Sequence, residues 1–169
     1  MECERCGEWV VYAGRGQRPR FCSTRCRVRA HRAKRSMPVE LTGRKSWTRA
    51  DRKRPVRPDG RPASSTDPAT WASFAEVQSG KGDGFGIMLG SGLGCYDLDH
   101  VSDDEIRDFV DRVREPIVFV ERSVSGEGAH VFVSVPESRG WRRNGVEFYS
   151  RARFIRVTGV RFAQGGRRG

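Results

Sequence analysis

The chain has 169 residues, a formal net charge of +11 and a hydrophobic content of 36%, enough for one compact core plus a small appendage. It shows neither a secretory leader pattern nor the apolar run of roughly 20 residues that crosses a bilayer, so a cytoplasmic protein with no membrane partner is expected. The charge is lopsided: residues 1–62 hold 18 Lys and Arg against 6 Asp and Glu, whereas 63–169 hold 14 against 15, which points to a polyanionic partner, nucleic acid before membrane.

Taken in chain order, the first element is a cysteine-rich segment over 1–36. Cys3, Cys6, Cys22 and Cys26 read C-x2-C-x15-C-x3-C, two paired thiol sets separated by a loop of a length common in structural zinc sites. Four thiolates closing on Zn²⁺ supply folding energy that so short a segment cannot draw from a core. Two disulfides are the competing reading, disfavoured in a reducing compartment, and His31 is an alternative to Cys26 as fourth ligand. A helix expected after Ser23 aligns Arg25, Arg29 and Arg32 on one face, placed to meet nucleic-acid phosphates.

Residues 37–66, rich in Pro, Arg, Ser and Gly, read as a basic linker and ordered loop, and the globular core is expected over 67–169. "DPATWASFAEVQ" opens with an Asp cap and Pro at the first helical position, predicting a helix. "GFGIML" and "GCYDLDH" predict two short strands joined by a tight turn at "GSGLG". "SDDEIRDFVDRVR" offers Ser102 and Glu105 as a capping box and Ile106, Phe109, Val110 and Val113 as an apolar stripe, predicting the most strongly signalled helix. "PIVFVE", "AHVFVSV", "GVEFYS" and "RFIRVTGVRF" predict four further strands. The fold class is α+β, with a mainly antiparallel sheet and few helices.

Within these strands the chemistry is unusual. Asp97 and Asp99 share one face of their strand while Tyr96 and Leu98 share the other, and carboxylates on a sheet face are costly unless paired or metal-bound. Paired acids of this kind hold divalent ions for phosphoryl or nucleotidyl transfer, although a D-x-D alone is equally met by acids pairing with surface arginines. A Ser/Gly loop holding Ser123, Ser125, Gly126 and Gly128 then runs into a strand bearing His130, whose small residues let backbone amides approach a phosphate. His130 is expected opposite the core face formed by Val131, Val133 and Val135. Glu147, between Val146 and Phe148, projects from the face opposite the core, with Arg151 and Arg153 following.

These segments resemble the primase-polymerase branch of the archaeo-eukaryotic primase superfamily, especially small phage versions, over roughly residues 45–162. "CYDLDH" resembles the family's first, acidic motif, "SGEGAH" its Ser-x-His-type second motif, and "GVEFYSRARFIRVTG" its third, with Glu147 at the last acidic ligand and Arg153 at a basic position. The upstream "RKRPVRPDGRPASSTDPATW" and the cysteine-rich finger are also similar. The resemblance implies a core with an RRM-like sheet that binds a single-stranded DNA template, an NTP or dNTP, and catalytic Mg²⁺ or Mn²⁺ on Asp97, Asp99 and Glu147. Ser123, Ser125, Gly126, Gly128, His130 and Arg153 would then serve the nucleotide, structural Zn²⁺ the finger, and a replicative helicase or other replication protein would be a partner. It implies a DNA primase/polymerase making short primers in a bacterial cell or phage-infected host. A non-catalytic zinc-dependent nucleic-acid-binding replication module and a metal-dependent nuclease are the competing functions. The chain ends seven residues after Phe162, whereas many family members continue into helical or helicase regions.

Overall fold

The computed structural model describes residues 1–3, 6–12, 14, 16, 18–28 and 37–163. Its contacts divide the chain into two units, 1–36 and 37–169. No helix among the described residues is long and apolar enough to cross a membrane.

In the first unit the chain doubles back at its start, with Glu2 bridged to Trp9 and the Cys3 N–H donating to the Glu8 carbonyl at 2.8 Å. This knuckle carries Cys3 and Cys6. Residues 24–28 are helical, started by the Ser23 hydroxyl, which accepts the Cys26 N–H at 3.2 Å. Arg25 lies on this helical turn; the expected positions of Arg29, Arg32 and His31 fall outside the described residues.

The second unit is α+β and contains two sheets, in which every strand pair is antiparallel. The first sheet has the order β2-β1-β3-β9, from β1 (Trp47–Asp51), β2 (Arg54–Val56), β3 (Gly84–Met88) and β9 (Phe154–Val157). The second has the order β5-β6-β4-β8-β7, from β4 (Leu93–Leu98), β5 (Ile117–Arg122), β6 (Ala129–Ser134), β7 (Trp141–Arg143) and β8 (Val146–Tyr149). Helix α1 spans Val39–Thr42 and α2 spans Asp103–Arg112. The segment β4-α2-β5 is a split crossover, with β6 lying between the two strands it connects.

The second sheet is buried on both faces. Leu98, Val120, Val131, Val133 and Phe148 pack with Ile106 and Val110 of α2. Cys95, Phe119 and Phe132 pack on the other side with Trp47, Ile87, Ile155 and Val157 of the first sheet. This double burial explains why "AHVFVS" reads as a nearly continuous apolar run.

Several expectations change in the structure. Residues 37–66 are not a linker: they hold α1, β1 and β2, and Trp47 and Ala50 of β1 are fully buried. The helix expected over "DPATWASFAEVQ" forms only two 3-10 turns, Pro68–Thr70 and Glu76–Gln78. Asp67 caps the first as predicted, accepting the Ala69 N–H at 3.0 Å. Ala72, however, exchanges two backbone hydrogen bonds with Trp47, at 3.0 and 2.8 Å, and a backbone so engaged cannot close helical turns. The turn at Gly90–Leu93 does not make a hairpin; it passes the chain from β3 in the first sheet to β4 in the second. Helix α2 carries the complete capping box, Ser102 and Glu105 each binding the other's backbone N–H.

Candidate active site

Five side chains, one from each strand, form a row across the second sheet. Glu121 of β5 lies opposite His130 of β6, His130 opposite Asp97 of β4, Asp97 opposite Glu147 of β8, and Glu147 opposite Arg142 of β7. Cross-strand partners in an antiparallel ladder stand about 4.5–5.5 Å apart, so the register alone assembles this polar row. Asp99 follows the end of β4, is exposed, and donates its N–H to the Gly145 carbonyl at 3.4 Å.

The row does not lie on an open sheet face, as the alternation suggested, but on the face that the first sheet covers. His130 is only 7% exposed and Glu121 is fully buried. His130 Nδ1 stands 2.9 Å from Glu121 Oε1. The Glu121 carboxylate also accepts the Thr158 N–H at 3.1 Å, the Thr158 hydroxyl at 3.1 Å and the Gly159 N–H at 2.8 Å. With donors on every side, this carboxylate takes the Nδ1 proton of His130 and leaves Nε2 toward Asp97, whose Oδ1 is 3.6 Å away. Burial is the strongest influence on His130 and opposes its charge, but Glu121, Asp97 and Asp99 outweigh it and raise its pKa above the ordinary histidine value. Burial in turn pushes the Asp97 carboxyl up, an effect increased by Asp99 and Glu147 and countered by His130 and Arg153.

Glu147 is held from three directions. The Tyr149 hydroxyl donates to Oε2 at 2.7 Å, Arg142 Nε lies 3.1 Å from Oε1 and Arg153 Nη2 lies 3.8 Å from Oε2. The Arg153 guanidinium also lies 4.3 Å from the Tyr149 ring centroid.

Asp97, Asp99, Glu147 and His130 line a cleft of about 1080 Å³. Arg153 and Arg156 line it too, as do Arg52 and Lys53 from the β1–β2 turn, so acids and cations face one volume. Arg156 is tied to Asp83 at 3.3 Å and to the Arg52 carbonyl at 2.6 Å. Ser123 and Ser125 also reach the cleft, their hydroxyls 3.1 Å apart. Their loop differs from the expected amide cradle. The amides of Ser123 and Gly126 bond to carbonyls inside the loop, and that of Glu127 to the Ser125 hydroxyl. Gly128 serves packing, because a Cβ there would overlap the Leu98 carbonyl oxygen. Arg151 lies apart, on a smaller pocket of about 250 Å³.

The donor sets differ in what they fit. Sγ atoms of Cys6, Cys22 and Cys26 lie 3.5, 3.6 and 3.7 Å apart. A tetrahedron with metal–sulfur bonds of about 2.3 Å has edges of roughly 3.8 Å, so the quartet with Cys3 fits zinc. The four cysteines are the group of three or more ligand side chains within 4.8 Å of one another among the described residues. The carboxylates are more open, yet their oxygens suit a hard divalent ion, and no Lys or Arg ion-pairs with Asp97 or Asp99 among the described residues.

Sequence reasoning brought forward Asp97, Asp99, His130 and Glu147, which the fold gathers on one cleft, but missed Glu121, Arg142, Tyr149, Arg52 and Lys53. A glutamate inside the apolar run "PIVFVER" was the available signal for Glu121.

The chain matches the family model described as bifunctional DNA primase/polymerase, N-terminal, over residues 9–164. It is also similar to a DNA primase-polymerase of Nitratiruptor phage NrS-1, 32% identical over 130 residues. That match covers 66% of this chain but only 18% of the phage protein, so the chain spans less than a fifth of that relative's length.

Proposed function

The chain belongs to the family of bifunctional DNA primase/polymerase N-terminal domains, and on that premise we propose that it is a zinc-finger primase. It would carry out template-directed nucleotidyl transfer, making short primers on single-stranded DNA during phage replication in the host cytoplasm. The observation that supports this reading is the row in which Asp97, Glu147 and His130 occupy adjacent strands and line one cleft with Arg52, Lys53 and Arg153.

Mg²⁺ or Mn²⁺ held by Asp97, Asp99 and Glu147 would neutralise the triphosphate and favour ionisation of the attacking 3′-hydroxyl. The side chains do the remaining work. Glu121 holds the His130 ring by Nδ1, so the protonated ring can donate from Nε2 to a phosphate oxygen. The Ser123 and Ser125 hydroxyls and Arg153 offer further donors on that side, in place of the amides of Gly126 and Gly128. Tyr149 and the arginines fix Glu147 so that its oxygens are preorganised. In the finger, Arg25, Arg29 and Arg32 would bind template phosphates while the zinc is structural, and a replicative helicase or other replication protein would be a partner.

The test is incorporation of labelled NTP or dNTP on a single-stranded template with Mg²⁺ or Mn²⁺, comparing wild type with Asp97→Asn. Synthesis by the wild type and none by the variant is expected. Template binding without synthesis would turn the reading into a non-catalytic replication module, and template degradation would turn it into a nuclease.

A further inference from the structure

We propose that the β7 edge of the second sheet, centred on Trp141 with Arg139 and Arg143, is a landing surface for single-stranded DNA that leads the strand to the acid row. This rests on the primase reading above and adds to it a surface that the sequence reading, which placed nucleic-acid binding in the finger, did not contain.

The charge distribution first draws attention to this edge. Residues 139–143 hold three arginines and no acid, although 63–169 as a whole is slightly acidic. Strand β7 is the outermost strand of its sheet, paired only with β8, and all three of its residues are exposed. Trp141 is 44% exposed, and what sets it apart is that this exposure is combined with a braced inner side. Its inner side is fixed: the ring stacks on Phe148 with centroids 5.8 Å apart at 30°, and meets Tyr96 edge-on at 6.0 Å. A ring braced from behind and open in front loses little conformational freedom when a base stacks on it.

The chemistry selects the occupant. An exposed aromatic face with arginines two positions to either side along the chain matches an unpaired base flanked by phosphates, whereas bases inside a duplex present no free π-face. Helix α2, packed on the same face of the sheet, reads "DDEIRDFVDR" and is net acidic, so it repels phosphates and confines the strand to the edge.

The edge is also continuous with the site. On the opposite face of β7, Arg142 pairs with Glu147 at 3.1 Å. The β7–β8 turn, Asn144–Gly145, has both residues in the left-handed region, at φ 51° and 77°, as a two-residue hairpin requires. Its Gly145 carbonyl accepts the Asp99 N–H. A strand lying along β7 therefore arrives beside Asp99 and Glu147.

The test is fluorescence anisotropy with labelled oligo-dT and with a duplex of equal length, using the full zinc-loaded chain. Trp141→Leu keeps an apolar packing partner for Phe148 and Tyr96 while removing the π-face. It should weaken oligo-dT binding by roughly 5- to 100-fold, and Trp141→Phe should restore most of the loss. The Arg139→Ala/Arg143→Ala pair should lower the salt dependence of oligo-dT binding by about two charges. The proposal is overturned if folded Trp141→Leu binds oligo-dT like the wild type, or if duplex binding falls equally. A wild type that neither binds oligo-dT nor makes primers would instead overturn the primase reading, so the two failures are distinct.

Discussion

Glu121 lies under the candidate site rather than in it, and its carboxylate sets the direction of the His130 ring. It is fully buried and receives hydrogen bonds from His130, Thr158 and Gly159. Replacing it by Ala strands a buried imidazole, the buried Gly159 N–H and the half-buried Thr158 N–H, and breaking a buried pair from one side costs about 3–5 kcal/mol. Glu121→Ala should therefore melt at least several degrees lower in a thermal scan, and an unchanged melting temperature would contradict the geometry. Glu121→Gln keeps the volume but offers an amide where only an acceptor fits, a loss of about 1–3 kcal/mol. The folded Gln protein should use nucleotide less efficiently while binding template normally, which separates positioning of His130 from simple stabilisation. Asp97 should behave in the opposite way. Its charge is held in a partly buried site next to Asp99 and Glu147, so Asp97→Asn should abolish synthesis while holding or raising the melting temperature. A destabilised Asp97→Asn would identify the carboxylate as a structural partner of His130 instead.

At the scale of elements, the sequence revealed what local chemistry determines. Helix α2 was legible because its cap and its apolar stripe are both written within one stretch. Strands β4, β6 and β8 were legible from alternation, which also put Asp97, His130 and Glu147 on a shared face. Strands β1 and β2 were not, because arginines and Pro55 hide the buried Trp47 and Ala50 in a composition that reads as linker. Nor could alternation say that a second sheet covers the face bearing Asp97, His130 and Glu147, since that depends on β3 and β9 packing from distant parts of the chain. Glu121 was hidden for the same reason, its backbone partners lying 37 and 38 residues away. In the Ser/Gly loop the same glycine admits two tasks. Gly128 leaves room for a phosphate, and it also leaves room for the Leu98 carbonyl, which a Cβ there would meet. Gly128→Ala should therefore lower the melting temperature by forcing β4 and β6 apart beside Asp97 and His130, by an amount on the order of 1–3 kcal/mol. If Gly128→Ala melts like the wild type but loses nucleotide use, the phosphate role returns.

Across the whole molecule, the two units draw their stability from different sources. The unit over 37–169 has two apolar cores, whereas in the first unit the buried hydrophobic residues among those described are Cys3 and Val10. A segment with so little core would fold on the free energy of a metal held by its four cysteines, which for structural zinc is about 10–16 kcal/mol. Chelation of zinc should then abolish the structure of 1–36 and leave the cooperative thermal transition of the larger unit in place. Its effect on DNA binding follows from charge. The first unit holds ten Lys and Arg against three Glu, and these charges persist when the fold is lost. Counterion release depends on how many charges meet phosphate, while affinity also depends on how well they are positioned beforehand. The chelated protein should accordingly bind single-stranded DNA more weakly, by roughly tenfold, with a salt dependence close to that of the zinc-loaded chain. Cys3→Ser with Cys6→Ser should reproduce both results without chelator. Metal analysis finding no zinc in chelator-free protein, or a main transition that collapses on chelation, would show that the finger is not the separately stabilised unit its four thiols describe.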